Sequence, residues 1–173
     1  MNNTRKLILT AMFIAIGVVL PQAFHMIPNA GSILLPMHIP VLLSGYVVGP
    51  FYGLLCGFFT PLLSHILFAM PPSMVLPSML VELSVYGLMS GLLYQKVKMD
   101  NHLLKNYLVL IGSMLCGRLS YGIMNALFFR AGNFSFAAWT SAAFVTALPG
   151  IVIQLILIPL LIDRLQKAGW IEK

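Results

Sequence analysis

The chain is poor in charge, and poorest in acidic charge. Of its 173 residues only four are Asp or Glu and ten are Lys or Arg, so charged side chains make up 8% of a sequence that is 60% hydrophobic. A soluble domain of this length needs a polar shell that so few charges cannot supply. The expectation is a small all-α integral membrane protein, multi-pass in the cell membrane, with one domain over residues 1–173 and no soluble appendage.

Other absences narrow the function. There is no GxxxxGK[ST] phosphate loop, so ATP cannot be bound and hydrolysed in the usual P-loop way. There is no GxSxG elbow and no cluster of carboxylates suited to acid–base work, which argues against an enzyme. The two cysteines, Cys56 and Cys116, fall inside apolar segments and read as small packing residues. His25, His38 and His65 come without paired spacing or an HExxH motif, so neither a metal site nor a cofactor is expected. The net charge of +6 sits in short inter-helix segments and at the termini. That placement sets membrane topology and does not make a nucleic-acid patch.

What is present is organised around Pro36–Ser64, PMHIPVLLSGYVVGPFYGLLCGFFTPLLS, which carries no charge and is cut by Gly49-Pro50. Proline cannot continue a helix without losing a backbone bond, so the cut predicts a tight reversal between two membrane segments. Gly45, Gly49, Gly53 and Gly57 recur every four residues, a spacing that lets backbones approach closely in lipid. Apolar runs predict six helices, at about 7–24, 36–49, 51–68, 74–94, 106–129 and 138–162. The stretch from His38 to Gly49 gives only roughly 18 Å of helix against a hydrocarbon core of about 30 Å. It must borrow Ile33 to Met37, tilt, or end inside protein. No small-x-small cleavage site follows Leu20-Pro21-Gln22, so the first segment is read as retained. Six crossings with both termini cytoplasmic leave Arg130 outside and Arg118 in the membrane, with the remaining basic residues inside.

Glu82 and Arg118 are the charges within apolar runs. Each disfavours insertion by roughly 2.5–3.5 kcal/mol, so each should face the bundle interior. The fourth helix runs inward and the fifth outward, which puts both roughly 12–18 Å below the outer surface, within mutual reach. Two readings stay open: a structural ion pair, or a polar wall of a ligand pocket. Arg118, Tyr121 and Asn125 share a helix face, with His38, His65 and Tyr86 on the same outer half, and the sixth helix carries Gln154. Asn29 lies in a turn-rich loop, His25 to Met37, over the outer mouth. For Asn125 and Gln154, hydrogen bonding between helices is an equal reading. A lone buried carboxylate also fits a self-sufficient proton-coupled transporter using Glu82, although inverted halves are lacking.

The organising stretch resembles the IPxLxxGxxxGPxxGxxxGxxxPLL pattern of the substrate-binding (S) components of energy-coupling factor (ECF) vitamin transporters. The matching residues are Ile39, Pro40, Leu42, Gly45, Gly49, Pro50, Gly53, Gly57, Pro61, Leu62 and Leu63. The resemblance implies a six-helix subunit that binds a vitamin at its outer face, with helices four to six and the outer loops forming the pocket. It also implies a transmembrane coupling subunit and two cytoplasmic ATPase subunits as partners, and toppling of the S component to release substrate. Ala11 and Ala15 form a small-xxx-small ridge on the first helix, similar to the alanine motif that docks on the coupling subunit in this family. The string LPMHIPVLLSGYVVGP and Met70-Pro71-Pro72 look most like the pantothenate-type branch. In that case Arg118 pairs the substrate carboxylate. If Glu82 neutralises Arg118, a neutral pyridoxine-like ligand or a larger one such as cobalamin is the alternative.

Overall fold

The computed structural model describes residues 1–24, 26, 29–129 and 135–171. His25, Arg130 and Lys173, which the sequence places in an outer loop or a tail, lie outside the described residues. The described chain is helical without strands, in the order α1 (Asn3–Ala23), α2 (Ala30–Leu34), α3 (His38–Val48), α4 (Pro50–Phe68), α5 (Leu76–Lys96), α6 (His102–Met124), α7 (Phe136–Thr140) and α8 (Leu148–Lys167). A π-helical turn, Asn125–Phe129, prolongs α6, and a second, Ser141–Thr146, prolongs α7. Six spans are long and apolar enough to cross a membrane.

Helix ends shift by a few residues from the apolar runs, and two spans are also built differently. The second span is assembled from α2 and α3, with Leu35 between them in the left-handed region at φ 51°. The 19 residues of Ala30–Val48 then supply roughly 28 Å of helix, close to a hydrocarbon core of about 30 Å. The last span begins only at Leu148, because the apolar run from Phe136 is broken before Pro149. Proline fits the first turn of a new helix, where its missing N–H is not needed, but not the interior of a continuing one.

α5 is the hub: it packs on α3, α4 and α6, while α1 lies across α3 and α4. Two-thirds of the Ala30–Val48 span is buried (67%) against 17% of α1, so α3 is central and α1 peripheral. Val41 and Leu42 of α3 meet Leu83 and Tyr86 of α5, Val109 and Leu110 of α6, and Ile158 and Ile162 of α8 in one core.

The reversal between α3 and α4 turns on Gly49, at φ 91° and ψ 175°, a region only glycine enters readily, with Pro50 as the first residue of α4. Beyond it the helices touch backbone to backbone. A Cβ on Gly53 would strike the Gly87 carbonyl, and one on Gly87 the Gly53 carbonyl. One on Gly57 would strike the Leu83 carbonyl, and one on Gly91 would fall 2.5 Å from the Pro50 nitrogen.

Both chain ends lie at one end of the bundle, where the Arg5 guanidinium sits 4.8 Å over the Trp170 ring. There Tyr46 Oη donates to the Asn106 carbonyl (3.2 Å) and Gln166 Nε2 donates to Tyr94 Oη (2.8 Å). Lys105 Nζ stands 4.2 Å over the Tyr94 ring. These contacts tie α3, α5, α6 and α8 together at this end.

Candidate functional site

The polar core lies in the opposite half of the bundle. Glu82 is six positions past the start of α5, roughly 9 Å down the helix, and Tyr86 follows one turn later on the same face. His38 opens α3, and Arg118 faces inward from α6 six positions before its end. All four are buried, between 1% and 8% exposed.

Their geometry converges on one oxygen. Arg118 Nη1 lies 3.0 Å from Glu82 Oε1, and Tyr86 Oη donates to the same oxygen at 3.0 Å. His38 Nε2 stands 3.9 Å from that oxygen, and its ring meets the Tyr86 ring at a centroid distance of 5.3 Å. In an apolar bundle a paired and hydrogen-bonded charge is the tolerable form, because removing either partner strands the other. The arrangement is nonetheless incomplete. Arg118 Nε and Nη2 and both His38 ring nitrogens have no hydrogen-bond partner among the described residues. Single unpartnered polar groups occur elsewhere, among them Gln22, Asn106, Ser64 and Ser84, but here a guanidinium edge and an imidazole stand open side by side.

Two contributors are not apparent from reading the chain. Gly117 lets α6 lie flat on the Tyr86 ring, since a Cβ there would come within 2.5 Å of the ring's Cδ1. Ser78 sits one turn before Glu82, fully buried, with its hydroxyl unpartnered among the described residues. The i,i+4 series Ser78, Glu82, Tyr86 is the signal that points to it.

The remaining expected residues scatter. Tyr121 is half-buried on α6, whereas Asn125 is buried and donates through Nδ2 to the Tyr121 carbonyl (2.9 Å), a bond within its own helix. Gln154 is buried on α8 with Nε2 unpartnered among the described residues, and no hydrogen bond described joins it to Glu82 or Arg118. Asn29 is exposed at the start of α2 in the left-handed region, φ 59°. His65 Nδ1 donates to the Pro71 carbonyl (2.7 Å), so it anchors the α4–α5 loop. Among the described residues no group of three His, Cys, Asp or Glu is placed to hold a metal.

On the outside of the bundle Ala11 and Ala15 are exposed along α1, flanked by exposed Leu7, Ile8, Met12, Ile16 and Val19. The flanking side chains are about half exposed or more, and Ile8 and Met12 border a shallow surface cavity shared with Trp170. Small residues at the centre of this flank leave a shallow track along the helix.

The family model for the ECF transporter substrate-specific component matches residues 5–162. No curated protein and no solved structure matches the chain.

Proposed function

The chain belongs to the substrate-specific components of ECF transporters, and we propose that it captures a vitamin in the polar core of Glu82, Arg118, His38 and Tyr86 for uptake driven by partner subunits. The end carrying both termini faces the cytoplasm, and the polar core opens toward the outer face of the cell membrane. Tyr121, Gln154 and Asn29 are the further contacts this reading expects nearer the outer face, with a minor share for Asn125, whose amide bonds within its own helix. The partners are a transmembrane coupling subunit and two cytoplasmic ATPases, consistent with a sequence that holds no phosphate loop. The observation that carries the reading is the Arg118 guanidinium edge and the His38 imidazole, both buried beside Glu82 and without partners among the described residues.

Pantothenate is the favoured vitamin, on the likeness of LPMHIPVLLSGYVVGP and Met70-Pro71-Pro72 to the pantothenate-type branch. Docking falls to α1, whose Ala11 and Ala15 are free to receive a helix at close range. The test is a vitamin-binding panel on the purified protein, joined to uptake into vesicles with and without the partner subunits. Binding without accumulation is expected of the chain alone. Concentrative uptake by the chain alone, driven by a proton gradient, would contradict the assignment and favour a proton carrier at Glu82.

A further inference from the structure

The way Glu82 holds Arg118 specifies the chemistry of what else Arg118 can hold. A guanidinium offers three edges, and the edge formed by Nε–H and Nη2–H presents two parallel donors. Glu82 takes Nη1 alone, at 3.0 Å. The side-on edge, Nε and Nη2, is left buried and without a partner among the described residues, in a side chain only 9% exposed. A hydroxyl or a carbonyl oxygen satisfies one of those donors. A carboxylate satisfies both, in the fork geometry that distinguishes Arg from Lys. Any anion adds charge that the Glu82–Arg118 pair does not itself balance, so what favours an acid over a neutral ligand is the open two-donor edge and not the net charge, and a singly charged carboxylate costs less there than a phosphate.

From this we infer that the substrate is a carboxylic acid, bound side-on through both carboxylate oxygens to Nε and Nη2 of Arg118 while Glu82 keeps Nη1. Glu82 is then a positioning residue that aims the fork, not a competitor that the ligand must displace. His38, with both ring nitrogens unpartnered among the described residues and Nε2 3.9 Å from Glu82, is the group beside the pair able to donate a hydrogen bond to the incoming carboxylate. The inference rests on the reading of this core as the substrate site, and goes beyond it by excluding neutral vitamins.

The test compares acids with their neutral counterparts on the purified full-length protein: pantothenate with panthenol, nicotinate with nicotinamide, and pyridoxine as an uncharged control. Affinities are measured by titration calorimetry. In the unsubstituted protein one acid should bind at least ten-fold more tightly than its neutral counterpart. Arg118→Lys, which keeps the charge and loses the fork, should cut that acid's affinity ten-fold or more and change the neutral counterpart's less than three-fold. A neutral vitamin that binds as tightly as any acid, or an acid whose affinity survives Arg118→Lys, overturns the inference while leaving a vitamin-binding core intact. The acid–neutral comparison in the unsubstituted protein decides the matter if the Lys variant does not fold. Failure of a folded protein to bind any member of a full vitamin panel would remove the function and this inference together.

Discussion

Helix α5 turns Gly87 and Gly91 toward α3 and α4, and Ser78, Glu82 and Tyr86 toward α3 and α6. On the first face every backbone approach is filled: Gly53 and Gly87 lie against one another's carbonyls, Gly57 against that of Leu83. Nothing larger than hydrogen fits at those glycines, and what is left nearby without a partner among the described residues is neutral and small, the hydroxyls of Ser64 and Ser84. On the second face the side chains are just as buried, yet Arg118, His38 and Ser78 keep donors that the described protein does not satisfy. Burial alone therefore does not separate structure from function in this bundle. What separates them is the kind of group left without a partner: lone hydroxyls at the seam, a guanidinium edge and an imidazole in the polar core.

Substitutions on the two faces should fail in different ways, and the seam should fail hardest. Gly87→Val places a branched side chain against the Gly53 carbonyl, and α4 and α5 must separate to admit it. A loss of about 3 kcal/mol or more is expected, seen as loss of monodisperse protein or a steep fall in melting temperature. A variant that melts near the parent would show the seam to be looser than the backbone contacts imply.

The single changes Arg118→Gln and Glu82→Gln come next. Each strands a buried charge, and each should cost about 3 kcal/mol in thermal stability. Bound ligand should restore part of that loss in Glu82→Gln, which keeps the guanidinium, and none in Arg118→Gln. Equal restoration in both would assign ligand binding elsewhere on the face.

A bulky residue on α1 tests a surface rather than either face of α5. Ala11→Trp or Ala15→Trp should leave melting temperature and vitamin affinity unchanged, because both positions are exposed. Uptake by the assembled transporter should be abolished, since the docking hypothesis requires close approach of backbones. Uptake that survives both would move docking to another helix.

The smallest effect is expected at Asn125. Its side chain already donates to the Tyr121 carbonyl, so Asn125→Ala should alter affinity less than three-fold and stability by about 1 kcal/mol. A ten-fold loss of binding would draw the π-helical turn into the site.

The order of elements was legible in the sequence because lipid imposes it: apolar runs, a Gly49-Pro50 break and lysine-bearing loops leave few alternatives. The contact between Glu82 and Arg118 was legible for the same reason, since two charges in neighbouring spans at similar depth must find each other. Register and breaks inside apolar runs were less so. Leu35 stops a helix in the left-handed region just before Pro36, inside a run whose apolar side chains hide the break, and Phe136 to Thr146 is a further apolar helix that runs up to the last span. The other half of the seam, Gly87 and Gly91, repeats the four-residue spacing of Gly45 to Gly57 and was available to a reader who looked for its partner. Which edge of Arg118 stays open depends on side-chain geometry and is not encoded in spacing at all.

The comparison between a close-packed seam and a polar core with unpartnered charged groups is tested most directly by the double variant Glu82→Gln/Arg118→Gln. Replacing both charges removes the stranded partner, so its melting temperature should recover most of what either single variant loses. Its affinity for the vitamin should remain at least ten-fold below that of the parent, because the fork is gone. A double variant that is stable and binds as the parent does would contradict the account, leaving Glu82 and Arg118 as a structural pair and the ligand to other residues.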